Sequence, residues 1–288
     1  CYNLPKMNIV KEIKVKTAVV ASKLPDADYV INPYTGCAFG CSYCYASFMG
    51  RFVGKSINDW GNYVFVKVNL LEVLDQQLAK IKDKTKTIFL SSVTDPYQGI
   101  ETKYQLSRGV LKLLIKHNWP GQISILTKSS LVTRDIDLFN QLQKIEVGLT
   151  ITTTKDKVSQ FLEKSAPPVS LRLKALKKLN QEGIKTYAFI GPLLPHFSAN
   201  PRNLTGIFDA IKNTGTTEIY LEHLNLSSYI KDRLLKKLSG QKDQVIKKFY
   251  QAKNDQYKAD LSQTIQKLLK NYNFTVRRGE VLEHGKNS

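Results

Sequence analysis

The chain has 288 residues, with 43 Lys and Arg against 24 Asp and Glu, which gives a formal net charge of +19. Its hydrophobic fraction of 42% and its charged fraction of 23% are ordinary for a globular protein. No apolar run approaches the roughly 18 to 20 residues that a membrane span requires, and no signal-peptide pattern stands at the start, so we expect a cytoplasmic protein without a membrane partner. The length suffices for one large α/β domain, alone or with an appended region.

Strand and helix patterns alternate along the chain after residue 28. Short apolar runs predict six main strands at 29–32, 87–90, 123–126, 147–151, 186–190 and 218–221, with a further short strand at 64–67. Apolar residues at three- and four-residue spacing predict helices at 70–81, 104–116, 135–143, 171–181 and 203–212. This alternation predicts an α/β fold with a parallel sheet, in the form of a partial (β/α)6 TIM-like barrel.

Polar loops follow the ends of the predicted strands. They comprise a cysteine-containing loop and the segments 91–97, 128–130, 150–153 and 191–195. Because active sites of barrel folds lie at the C-terminal ends of the strands, we expect these loops to converge on one mouth.

The two ends of the chain differ from its centre. We predict an N-terminal extension at 1–27, a core at 28–226 and a basic, mostly helical C-terminal appendage at 227–288. The appendage mixes lysines with apolar residues, which favours helices that pack on the barrel and expose their lysines. The net charge also fits a polyanionic partner, but only eight of the 43 basic residues are Arg, the residue preferred for phosphate recognition. Charge alone therefore does not establish DNA or RNA binding.

Three cysteines, Cys37, Cys41 and Cys44, stand in a C-x₃-C-x₂-C arrangement. This spacing suits three thiolates around one [4Fe–4S] cluster, and the fourth cysteine, Cys1, is far away, so one iron keeps an open position. A structural zinc site would require four ligands, and a disulfide framework would require more cysteines in a shorter secreted chain. The histidines are too far apart in sequence to form a zinc motif: His117, His196, His223 and His284. In radical chemistry the ligand of an open iron is S-adenosylmethionine (SAM).

The run from Cys37 to Cys44, with Tyr43 just before the third cysteine, resembles the cluster motif of the radical SAM superfamily. Further stretches resemble the branch of that superfamily related to spore photoproduct lyase, often described as DNA repair photolyase-like. These stretches are 32–37, 41–45, 92–98, 127–136 and 220–225, which together cover about 28–226.

The resemblance implies a partial barrel and a reaction. It implies a [4Fe–4S] cluster on the three cysteines, with the amine and carboxylate of SAM on the fourth iron. A low-potential electron donor of the flavodoxin or ferredoxin type would then drive reductive cleavage of SAM, and the resulting 5′-deoxyadenosyl radical would take a hydrogen atom from a substrate. The enzyme would be of lyase or transferase type, and nucleic acid is the first substrate to test.

The resemblance also implies which residues contact SAM. Tyr43 matches the aromatic residue beside the adenine, and Lys128, at the end of a strand, matches the cation for the SAM carboxylate. Thr150 would lie near the same carboxylate or the ribose, and Ser92 and Asp95 occupy the turn that holds the SAM amine. The residue type supports Lys128 independently, because a lysine is almost never fully buried unless it is paired.

One departure from the family pattern concerns the substrate. Spore photoproduct lyase uses an additional cysteine as a hydrogen donor near the turn that corresponds to 91–95, and that turn contains no cysteine here. Tyr45 and Tyr97 are the candidate donors in its place, and we do not expect repair of spore photoproduct itself. Four further polar residues are expected to be structural: Arg134, Asp135, Arg172 and Glu222.

Two other functions remain open from the sequence. One is a non-catalytic nucleic-acid-binding protein with a structural Fe–S cluster, and the other is an electron-transfer protein. The open iron and Lys128 argue against the first, because a structural cluster has no use for either. The count of three thiolates argues against the second.

Overall fold

The computed structural model describes residues 9–283, so Cys1 and His284 lie outside the described residues. The strands are β1 (Ile9–Ile13), β2 (Val19–Ala21), β3 (Tyr29–Ile31), β4 (Tyr34–Thr35), β5 (Tyr63–Lys67), β6 (Ile88–Leu90), β7 (Ile123–Thr127), β8 (Ile145–Thr150), β9 (Lys185–Leu193), β10 (Glu218–His223) and β11 (Thr275–Leu282). The α-helices are α1 (Leu70–Lys80), α2 (Glu101–Tyr104), α3 (Leu106–Lys116), α4 (Ile136–Phe139), α5 (Asp156–Leu162), α6 (Val169–Gln181), α7 (Pro201–Lys212), α8 (Ser228–Leu238), α9 (Asp243–Gln251) and α10 (Asp255–Leu269).

Eight strands form the main sheet, in the order β11-β10-β9-β8-β7-β6-β3-β2. The six strands predicted from the apolar runs are β3, β6, β7, β8, β9 and β10, and each pairs in parallel with its neighbour in that series. Only β2 runs antiparallel to its neighbour within this sheet. The described strands do not close on themselves, so the predicted partial (β/α)6 barrel is confirmed.

A smaller sheet carries the start of the cysteine loop. It has the order β1-β5-β4, with β1 parallel and β4 antiparallel to β5. The strand predicted at 64–67 is therefore the centre of a second sheet. The described part of the predicted N-terminal extension, residues 9–27, supplies a strand to each sheet, namely β1 and β2.

The C-terminal region is helical from α8 to α10, as predicted, and then adds strand β11, which the sequence did not indicate. This strand pairs in parallel with β10 at the edge of the main sheet. It has no apolar run because it carries Arg277, whose guanidinium contacts the carboxylates of Glu146 at 2.8 Å and Glu218 at 2.6 Å. An edge strand held by ion pairs does not show the pattern from which strands are predicted.

Two helices also differ from the sequence prediction. The helix expected at 135–143 is a 3-10 helix, Ser130–Asp135, followed by the single turn of α4. Helix α4 ends in a tighter turn, because the backbone N–H groups of Gln141 and Leu142 donate hydrogen bonds to the carbonyls three residues earlier, those of Leu138 and Phe139. Helix α5 was not predicted.

Across residues 9–283, no helix combines the length and apolar character that crossing a bilayer requires.

Helices α8 and α9 lie against the cysteine loop. Their buried apolar residues belong to the same hydrophobic cluster as Cys37, Cys41 and Tyr43. The helices contribute these side chains: Ile230, Leu234, Leu238, Val245 and Phe249. The packing interpretation of the C-terminal helices therefore agrees with the structure, and the surface that they cover is the candidate site.

Candidate active site

The cysteine loop follows β4 and turns twice. Backbone bonds run from Gly40 N to the Cys37 carbonyl at 3.4 Å and from Cys44 N to the Cys41 carbonyl at 3.2 Å. Gly36 has a φ of +91°, and a Cβ at this position would lie 2.5 Å from the carbonyl oxygen of Tyr63. Only glycine therefore fits where the loop leaves the strand.

The three predicted ligands come together as free thiols. Cys37 and Cys41 are buried, and Cys44 is half-buried. Burial raises the pKa of each thiol, that of Cys41 to about 12, and the negative charge of Cys44 raises the pKa values of Cys37 and Cys41 further. The positive charge of Lys128 acts in the opposite direction on Cys41 and Cys44. Burial thus disfavours the thiolate forms, and the positive charge of a bound metal would favour them.

The donor set of the loop fits an iron–sulfur cluster. Between residues 9 and 283, no three His, Cys, Asp or Glu side chains are placed to hold one metal ion. A [4Fe–4S] cluster takes cysteine thiolates as its ligands, and the three free cysteines of this loop offer such donors.

The turn after β6 holds the start of the cysteine loop. The hydroxyl of Thr94 donates to the carbonyl of Gly36 at 2.6 Å, and the side-chain amide of Gln98 donates to the same oxygen at 3.2 Å. In return, the amide of Ala38 donates to Gln98 Oε1 at 2.8 Å. Gln98 is completely buried and therefore fixes the backbone on both sides of Cys37. Sequence reasoning missed this role, although Gln98 ends one of the family-like stretches.

Asp95 joins the ends of two strands. Its carboxylate accepts hydrogen bonds from the Thr127 hydroxyl at 2.6 Å, from Lys128 N at 2.8 Å and from Tyr97 N at 2.9 Å. Burial raises the pKa of Asp95, although these hydrogen bonds act to lower it. Asp95 thus fixes the position of Lys128, and any contact of its carboxylate with a ligand would be additional to these bonds.

Ser92 is half-buried in the same turn. Its backbone N–H donates to Asn32 Oδ1 at 3.0 Å, and its carbonyl accepts from the hydroxyl of Tyr45. Thr150, at the end of β8, is buried, and its carbonyl accepts from Arg172 Nη1 at 3.1 Å. Both residues stand at or just after the end of a strand, as predicted.

Lys128 lies directly after β7, beside the aromatic residue of the cysteine motif. Its Nζ is 5.7 Å from the ring centroid of Tyr43. Burial acts to lower the pKa of Lys128, but the negative charges of Cys41 and Glu163 outweigh burial and raise it. The ammonium group is therefore charged at neutral pH and lies close enough to Cys41 and Cys44 to interact with them electrostatically.

Glu163 is a central residue of the site that the sequence analysis missed. Its carboxylate accepts from the hydroxyl of Tyr43, from Arg172 and, at 2.9 Å, from the hydroxyl of Thr152. Burial acts to raise the pKa of Glu163, but Arg172 and then Lys128 lower it overall. Glu163 and Arg172 are both completely buried. The structural role expected for Arg172 is thus to hold, through Glu163, the ring of Tyr43 beside Lys128.

The two candidate hydrogen donors occupy different surroundings. Tyr97 is completely buried, and its hydroxyl donates to Asp135 at 3.0 Å within a group of ion pairs. Tyr45 follows Cys44 directly and is 37% exposed. Burial of its phenol and then the negative charges of Cys44 and Glu222 raise the pKa of Tyr45. Of the two, only Tyr45 borders both the cysteine loop and solvent.

Comparison with known proteins gives a family and a fold. The family model of the radical SAM superfamily matches residues 31–206. An uncharacterized protein of Methanocaldococcus jannaschii is 43% identical over 190 residues, which cover 66% of this chain and 69% of the relative. Spore photoproduct lyase of Bacillus subtilis is 28% identical over 200 residues, which cover 68% of this chain and about half, 54%, of that enzyme.

A solved structure of spore photoproduct lyase complexed with dinucleoside spore photoproduct has a similar fold. It superimposes with a TM-score of 0.71 at 16% identity, over 93% of this chain and 81% of that one. At this identity the likeness concerns the fold, and the substrate in that structure is a property of that protein.

Proposed function

The chain belongs to the radical SAM superfamily, and we propose that it is an enzyme whose Cys37, Cys41 and Cys44 hold a [4Fe–4S] cluster beside a SAM site. One observation carries the proposal: three free thiols meet in a buried pocket, next to the charged ammonium group of Lys128. The family implies the cluster and SAM, and the donor set of this chain fits them. A non-catalytic protein would have no need of Lys128 at this position.

The residues of the chain have separable tasks in this proposal. When bound, the cluster and SAM supply reductive cleavage of a C–S bond and a radical that abstracts hydrogen. Lys128 binds the carboxylate of the ligand as a point charge, and Asp95 keeps the Lys128 backbone in place. Tyr43 forms one wall of the ligand site, and Glu163 fixes its ring through the phenol. The apolar residues of α8 and α9 exclude water from the thiols.

The reaction on the substrate is of lyase or transferase type in this proposal, and nucleic acid is the first substrate class to test. The likeness to spore photoproduct lyase and the net charge of +19 support that choice. The turn at 91–95 has no cysteine, so Tyr45, at the solvent border of the loop, is the hydrogen donor that we propose. A flavodoxin- or ferredoxin-type protein would supply the electron.

The decisive experiment is anaerobic. The protein is reconstituted with iron and sulfide, mixed with SAM and dithionite, and 5′-deoxyadenosine is quantified by chromatography. We expect product from the wild type and from Cys1→Ala, which removes a thiol outside the motif, and none from Cys41→Ala. A [4Fe–4S] spectrum in the wild type without SAM cleavage would contradict the proposal and leave the cluster with a structural role.

A further inference from the structure

Helix α8 brings a guanidinium group to the cysteine loop. Arg233 Nη2 donates to the carbonyl of Cys41 at 2.8 Å, and Nη1 donates to the carbonyl of Cys44 at 3.3 Å. A second side chain of α8 contacts the next residue of the loop, because the hydroxyl of Tyr229 donates to the carbonyl of Tyr45 at 3.2 Å. Three carbonyls of the loop are thus held by one helix, whose Tyr229 stands 184 residues after Tyr45 in the chain.

The helix itself is well anchored. Ile230, Leu234 and Leu238 are at most 1% exposed and pack into the hydrophobic cluster that contains Cys37 and Cys41. The guanidinium is therefore presented by a rigid element and not by a loose surface side chain. It also lies close enough to Cys41 and Cys44 to interact electrostatically with both side chains.

We propose that Arg233 is a positioning residue, which holds Cys41 and Cys44 in the ligating conformation and raises the reduction potential of the cluster that they bind. The inference rests on the proposed function, since it concerns the same cluster. The planar guanidinium has several donors in a fixed arrangement, so it can bridge two carbonyls that a lysine would contact one at a time. A reduced cluster carries one more negative charge than an oxidised one, so a fixed cation stabilises the reduced form. Net charge and hydrogen bonding are general determinants of cluster potential.

The test measures the potential and does not require SAM or catalysis. Cluster-loaded protein is titrated anaerobically with reductant, and the reduced cluster is followed by EPR. We expect Arg233→Gln to change the reduction equilibrium about tenfold, which is a shift of about 59 mV to more negative potential for a one-electron couple. Lys236→Gln removes the same charge from an exposed position of the same helix and should leave the potential unchanged.

Arg233→Lys separates the two parts of the inference and covers the case in which Arg233→Gln fails to fold. It keeps the charge and loses the bridge between the carbonyls, so we expect a potential near that of the wild type but faster loss of the cluster in air. If Arg233→Gln folds and has the wild-type potential, the inference is overturned. If Arg233→Gln does not fold, the inference is overturned when Arg233→Lys has both the wild-type potential and the wild-type retention of the cluster. A wild-type protein that takes up no cluster would instead overturn the proposed function, and the inference with it.

Discussion

Two networks of buried charged side chains in this molecule use the same chemistry with a different balance of charge. The scaffold network links the turn after β6, α3 and the segment before α4, and consists of Tyr34, Tyr97, Glu101, Arg108, Arg134 and Asp135. The loop network lies behind the cysteine loop and consists of Tyr43, Lys128, Thr152, Glu163 and Arg172.

The scaffold network has no surplus cation. Its two guanidiniums, those of Arg108 and Arg134, face the fully buried carboxylates of Glu101 and Asp135, and Arg108 also pairs with the exposed Asp137. The loop network has one carboxylate with a lowered pKa, Glu163, for the two cations Arg172 and Lys128, while burial raises the pKa of the neighbouring Asp95. Lys128 is half-buried, and a charge with little access to water costs less when it is paired, so the surplus cation favours an anionic partner from outside the network. The thiolates and a ligand carboxylate meet that requirement. The difference in balance thus distinguishes the network that serves the fold from the one that serves the site.

Glu101→Gln is expected to have the largest effect on stability. Glu101 accepts from the hydroxyl of Tyr34, from Arg134 at 2.9 Å and from Ser107 N at 3.1 Å. Removal of one partner from a buried ion pair costs about 3–5 kcal/mol of the free energy of unfolding, because an uncompensated charge stays behind. Urea unfolding measures this loss. Glu72→Gln, at an exposed position, should cost less than about 0.5 kcal/mol.

The same variant tests the assignment of the scaffold network to the fold. Protein with Glu101→Gln that remains folded should bind iron and sulfide in the wild-type ratio. A specific loss of the cluster from correctly folded Glu101→Gln would show that the two networks are not separate in function.

Glu163→Gln is expected to lower the free energy of unfolding by about 3 kcal/mol at neutral pH, because it leaves the buried charge of Arg172 without its partner. The loss should depend on pH, because the pKa of Glu163 is lower in the folded protein than its ordinary value. A carboxylate with a lowered pKa contributes its stability above the unfolded-state pKa of about 4.3, and that contribution disappears as the pH falls through the folded-state pKa. The difference between wild type and variant should therefore be constant above about pH 5 and should shrink below about pH 4.

Urea unfolding of both proteins from pH 7 down to pH 3 measures this difference. A gap that stays constant to pH 3 would mean that the pKa of Glu163 is not lowered in the folded protein, and that Arg172 and Lys128 do not stabilise its charge.

The sequence was sufficient for the parts of the molecule that depend on local patterns. Apolar runs located the six central strands, and the spacing of Cys37, Cys41 and Cys44 located the loop. Edge strands such as β1 and β11 were missed, because charged residues interrupt their apolar residues and no residue of either strand is fully buried. Helix α5 was missed because it is short.

The support of the site depends on contacts between distant residues, which one sequence does not show. Glu163 lies 120 residues from Tyr43, and Arg233 lies 192 residues from Cys41. Each is a charged residue in a polar stretch, and such stretches usually face solvent. Their burial follows from tertiary packing, in which Glu163 meets Arg172 and the helix of Arg233 covers the loop. The residues proposed to touch the ligand were thus predictable from motifs, and those that position them were not.

Lys128→Met is expected to have the smallest effect on stability and a clear effect on binding. It removes the surplus cation of the loop network, so the free energy of unfolding should stay within about 1 kcal/mol of the wild type or rise. A hydrogen bond to a charged group contributes about 1.5–3 kcal/mol, so the affinity of the cluster-loaded protein for SAM should fall about 10- to 100-fold. Anaerobic calorimetry measures this affinity, with Lys82→Met, at an exposed position, as the control.

If Lys128→Met instead bound SAM normally and lost as much stability as Glu163→Gln, Lys128 would be a structural residue. The surplus charge of the loop network would then need no ligand to explain it.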